Sequence, residues 1–89
     1  MNNWKLDGWA DYWKLFEQLC SSLIKNEKGE IVSKLKDAQK YVNGLSDGWY
    51  EFLNHFQMVI NNHQSQLNQE ERELSDFLLS NLKKSLNRQ

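Results

Sequence analysis

The chain has 89 residues, with 11 Lys and Arg against 12 Asp and Glu, 39% hydrophobic and 12% aromatic residues, and no proline. The balanced charge argues against a nucleic-acid partner, which needs a basic face, and four Trp, four Phe and three Tyr exclude disorder by composition. A single cysteine, Cys20, excludes a disulfide-stapled scaffold, and the start of the chain lacks the basic head and apolar stretch of a signal peptide, so a reducing, cytoplasmic setting is expected.

The absence of proline permits long helices, and strand-forming residues are scarce. The first helix is expected over residues 8–25. At 100° per residue Trp9, Tyr12, Trp13, Phe16, Leu19, Cys20, Leu23 and Ile24 fall on one face, and Lys14, Glu17, Gln18 and Ser21 fall opposite. Asp7 is the expected N-cap. Gly29 is expected to take the left-handed conformation that turns the chain.

A second helix is expected over 30–43, with a thinner stripe of Ile31, Leu35, Ala38 and Val42 and a stop at Asn43-Gly44, after which Leu45 tucks back. A third is expected over 47–65, opened by Ser46-Asp47. Its apolar face carries Trp49, Phe52, Leu53, Phe56, Val59, Ile60 and His63, and it frays in the polar run 61–66. A fourth is expected over 69–86. Asn68 and Glu71 form a capping box ahead of it, and Leu74, Leu78, Leu82 and Leu86 form a ridge flanked by Phe77 and Leu79. Acids begin this helix and bases end it, as its dipole favours.

Short links force sequential helices to pack antiparallel. The expected fold is a single all-α domain, a four-helix up-down bundle or two stacked antiparallel helical hairpins. Asp7-Gly8-Trp9 recurs forty residues later as Asp47-Gly48-Trp49, and Phe16 and Glu30 recur as Phe56 and Glu70. Two readings stand side by side: a duplicated hairpin, or a good helix start used twice.

The chemistry-bearing residues are few. Glu51 and His55 share one side of the third helix, which supplies half a metal site at most; the plainer reading is an exposed pair contributing about 0.2–0.5 kcal/mol. His63 is expected at the frayed helix end. Cys20, mid-helix among apolar residues, is expected to be an inert core thiol. No Gly-x-Ser-x-Gly elbow, Cys-x-x-Cys pair or phosphate-cradling loop occurs. No enzyme activity, cofactor or metal is therefore expected.

Trp4, Trp9 and Trp13 could suggest an interfacial membrane helix, but Lys5, Lys14 and Lys25 are matched by Asp7, Asp11 and Glu17, whereas such helices are cation-rich. No segment approaches bilayer-spanning length. The lysines around the second helix are interrupted by Glu27, Glu30 and Asp37 and read as a solvated face. What remains is contact with another protein or with a second copy of the chain. Trp4, ahead of the first helix, Tyr50 and Met58, off the apolar face of the third, and Leu79, at the edge of the fourth, are the expected partner-binding residues, because exposed aromatic and Met side chains are enriched at interfaces. A ligand- or metal-binding bundle built on Glu51, His55 and His63 is the alternative, and a structural homodimer of helical hairpins is a third reading.

Overall fold

The computed structural model describes residues 4–42 and 46–86, apart from the side chain of Ser46. They form α1 (Trp9–Lys25), α2 (Gly29–Gln39), α3 (Ser46–Asn62), a single 3-10 turn at Gln64–Gln66, and α4 (Gln69–Leu86), with no strand among the described residues. Each helix packs against its sequence neighbours, and α4 returns to α1 to close the ring. The fold is an all-α helical bundle.

α1 and α3 face each other across the diagonal, and aromatic rings fill the distance. Phe16 meets Phe52 at 5.6 Å and Phe56 at 5.7 Å between centroids, both edge-on. Such rings contribute roughly 0.5–1.5 kcal/mol per pair beyond area burial. Around them lie Leu19, Leu23, Leu35, Ile60, Leu74, Leu78 and Leu82, all buried. Tyr12 is buried as well, and its hydroxyl donates to the Leu78 carbonyl at 3.1 Å. Burial holds the phenol well above its ordinary pKa.

The forty-residue echo is present in the packing. Buried Tyr12, Phe16, Cys20 and Leu23 on α1 correspond to buried Phe52, Phe56 and Ile60 on α3 and His63 just past its end; buried Ile31, Leu35 and Ala38 on α2 correspond to Glu71, Ser75 and Leu78 on α4. α2 opens at Gly29 and α4 at Gln69. Two residues meet their own counterparts: Phe16 meets Phe56, and Trp9 meets Trp49 in a tilted pair at 4.4 Å. At these positions the two helical hairpins bury equivalent residues, whereas Leu74 and Val32 are buried where their counterparts Lys34 and Arg72 are exposed.

Several local expectations are corrected. α1 is not capped by Asp7: Gly8 is the N-cap, and Asp11 reaches back to accept the Asp7 backbone N–H at 3.0 Å. α1 ends in a Schellman motif, with the Lys28 N–H donating to the Leu23 carbonyl at 2.8 Å and the Glu27 N–H to Ile24 at 3.0 Å. The left-handed residue is Glu27, with φ 62°, not Gly29, which is already the first residue of α2. α2 stops at Gln39, and α3 stops at Asn62, where its polar tail tightens into the 3-10 turn. Arg72 fastens that turn by donating twice to the Gln64 carbonyl, at 3.2 and 2.8 Å. The expected stop at Asn43-Gly44 and the contact of Leu45 lie outside the described residues.

Candidate functional site

Among the described residues the most polar buried place is Glu71, only 1% exposed. The capping box read from the sequence is formed: the Glu71 N–H donates to Asn68 Oδ1 at 2.8 Å, and the Asn68 N–H donates to Glu71 Oε1 at 2.9 Å. The same carboxylate receives the Lys28 ammonium at 2.6 Å, the Asn26 side-chain amide at 2.8 Å and the Ser22 hydroxyl at 3.4 Å. Burial pushes this carboxyl up; the bonds from Lys28, Asn68 and Asn26 outweigh it and hold the carboxyl below the ordinary glutamate value. Every lone pair is engaged, so the arrangement fastens the end of α1 and the turn after it to the start of α4. It leaves nothing aimed at a ligand.

Cys20 is buried beside Phe16 and Leu19, and burial pushes its thiol up to about 11, with Lys36 lowering it and Glu17 raising it by lesser amounts. A thiol held in that form is a poor nucleophile. His63 is buried too, and its Nδ1 lies 2.7 Å from the Val59 carbonyl. A carbonyl only accepts, so Nδ1 carries the proton. The histidine does stand at the end of α3, just past Asn62, but that end is fastened, with His63 buried and bonded back to the helix.

His55 Nε2 lies 3.6 Å from the Glu51 carboxylate, and the ring stacks on Tyr41 at 4.6 Å, nearly parallel. A cleft of about 570 Å³ opens over this stack, edged by Lys34, Asp37, Lys40 and Val59. Lys34 and Lys40 pair with Glu30 and Asp37 at 3.9 and 3.3 Å. His63, just past the end of α3, is engaged elsewhere. Among the described residues, no three His, Cys, Asp or Glu side chains stand where they could hold one metal ion.

The four residues expected to bind a partner do not come together. Leu79 is buried, 7% exposed, because α4 lies between α1 and α3 and buries a broader arc than the leucine ridge alone. Trp4 is half-buried: it packs on Phe77 at 5.4 Å and on the core, where the N-terminal segment crosses α4. Both are corrections to the expected exposure. Tyr50 and Met58 are exposed, 40% and 57%, and share the outer side of α3. The Tyr50 hydroxyl donates to the Leu86 carbonyl at 3.0 Å, closing the end of α4.

The sequence reading missed the character of that outer side. Asp47, Tyr50, Asn54, Met58 and Asn61 run down the line of α3 opposite its buried face, and all are exposed. No Lys or Arg occurs between Lys40 and Arg72. The forty-residue echo supplies an internal comparison: the matching positions at α1 are Asp7, Ala10, Lys14, Gln18 and Ser21, a small and charged solvated face. α2 and α4 likewise present Lys or Arg outward. A shallow depression of about 500 Å³ surrounds Met58, lined by Asn54, Gln57, Asn61 and Asn62. Trp49 belongs to the opposite, core-facing side of α3, where it packs on the core and meets Trp9, itself 45% exposed. The missing cations were a signal in the sequence that composition totals concealed.

No helix among the described residues is long and apolar enough to cross a membrane. No known protein family, curated protein or solved structure matches this chain.

Proposed function

We propose that this chain is a non-catalytic protein-binding module whose contact surface is the outer side of α3. One observation carries the reading. α3 presents Asp47, Tyr50, Asn54, Met58 and Asn61 with no cation, where the equivalent positions at α1 are Asp7, Ala10, Lys14, Gln18 and Ser21. Interface centres are depleted in Lys and Glu and enriched in Tyr and Met, whereas an ordinary solvated helix is laced with charge. Tyr50 is held in place by its bond to Leu86, so little side-chain freedom is lost when it is covered. The polar side chains of the interior are engaged with one another, which supports binding over catalysis.

The test is a photo-crosslinking residue placed at Met58 and, separately, at Gln18, its counterpart on α1, in cells expressing the chain. A discrete protein adduct from position 58 and none from position 18 is the expected result. Equal adducts from both positions, or none from either, would contradict the proposal.

A further inference from the structure

Charge is unevenly divided along this chain. The stretch 41–71 carries four acids and no Lys or Arg, a charge of −4 with histidine neutral, while the rest of the chain, with all 11 cations and the other 8 acids, carries +3. α3 lies wholly inside that stretch. Glu71 is matched by Lys28, whereas Asp47 and Glu51 stand exposed one turn apart on α3. Like charges at that spacing repel, and Asn54 stands where α1 has Lys14. Among the described residues the basic group next to this pair is the His55 imidazole, 3.6 Å from Glu51.

We infer that the occupant of this face is a basic segment of another protein, one that carries Lys or Arg together with an apolar side chain; this rests on the reading of α3 as a contact surface. The cations meet Asp47 and Glu51. The apolar side chain settles in the depression around Met58, whose rim of Asn54, Gln57, Asn61 and Asn62 donates to or accepts from the segment's polar groups. At a rise of 1.5 Å per residue Met58 lies about 10 Å along α3 from Glu51 and about 16 Å from Asp47, which fixes the spacing the segment must present. The sign of the charge selects against other occupants. Nucleic acid and an anionic membrane surface are themselves negative. A second copy of this face brings the same two acids and no cation to offset them. Opposite charge speeds encounter with the right partner, and like charge suppresses the wrong one.

The test carries the photo-crosslinking residue at position 58 of the full chain, in the natural background, with Glu51→Lys, and with Asp76→Lys on α4 as the control. Both positions are exposed on helices, both changes move the net charge equally, and circular dichroism checks that each variant folds. The adduct is cut with a protease that spares Lys and Arg, and the joined segment of the partner is read by mass spectrometry. The expected segment has more Lys and Arg than Asp and Glu. The expected adduct yield falls by about fivefold or more with Glu51→Lys and is unchanged with Asp76→Lys. A neutral or acidic segment, a yield that Glu51→Lys leaves unchanged, or a yield that both variants lower equally overturns the inference and leaves the wider reading of α3 standing. No adduct from position 58 overturns both.

Discussion

Replacing Glu71 by Gln tests the polar lock between α1, its following turn and α4. Glutamine keeps the volume and removes the charge. Its amide presents one acceptor and one donor, so either the Lys28 ammonium and the Asn68 N–H, or the Asn26 amide and the Ser22 hydroxyl, face a donor instead of an oxygen. Hydrogen bonds to charged groups contribute about 1.5–3 kcal/mol each. The Lys28 side chain keeps 18% of its surface in water and can turn outward, which reduces the loss at that end. A net destabilisation of about 2–4 kcal/mol follows. At about 4–8 °C per kcal/mol for a chain of this size, the melting temperature falls by at least about 8 °C at pH 7. The pH dependence has a definite sign. The folded carboxyl titrates below its unfolded value, so its contribution is complete above the unfolded glutamate pKa and is lost as pH falls through the folded value. The gap between natural chain and variant, followed by thermal circular dichroism, therefore narrows on acidification below pH ~4. A variant melting within about 1 °C of the natural chain at pH 7, against the size scaling used here, would refute the reasoning, as would a gap that ignores pH.

Two substitutions separate the turn that forms from the one the sequence suggested. Glu27→Gly relieves a left-handed residue and is expected to stabilise by about 0.5–1 kcal/mol, while Gly29→Ala, at the first position of α2 with open space around its new Cβ, is expected to stabilise by about 0.4–1 kcal/mol; a loss from Gly29→Ala in denaturant titrations would restore Gly29 as the turn residue. The Cys20 thiol, buried and pushed up to about 11, is expected to react with an aromatic disulfide reagent at mildly alkaline pH only as fast as the chain opens, and rapid stoichiometric reaction in native buffer would contradict its placement. Trp9, Trp13 and Trp49 form a cluster in which Trp49 lies 4.4 Å from Trp9 and 5.6 Å from Trp13, expected to give an indole exciton couplet in circular dichroism that Trp49→Phe abolishes and Trp9→Phe only reduces; a couplet unchanged by Trp49→Phe would show that the rings are not paired.

The helices were legible because their apolar stripes recur at helical spacing, and those on α1 and α3 are dominated by rings too large to leave in water. The capping box at Asn68 and Glu71 was legible for a similar reason: it is local. The burial of Glu71 was not. Its other partners, Ser22, Asn26 and Lys28, lie more than forty residues earlier, and only the return of α4 to α1 brings them together. Glu27 was hidden by a stronger local signal, the glycine two residues on. Trp4 and Leu79 were misjudged because helical periodicity reports one face, while α4 has a helix on each flank and the N-terminal segment across it. Tyr50 and Met58 were found as exposed apolar residues. What their neighbours lacked became visible only when the fold set α3 beside its own counterpart, α1.

The claim that α3 is a contact surface is tested most directly at Met58 itself. Chain labelled with ¹³C in its methionine methyl groups would be observed first as dilute purified protein and then in extract of the cells that express it. An engaged face shifts and broadens the Met58 methyl signal in the extract, and Met58→Leu identifies that signal. A Met58 signal with the same position and width in both settings would mean that the face stays in water, and the account of this chain as a binding module built on α3 would fall.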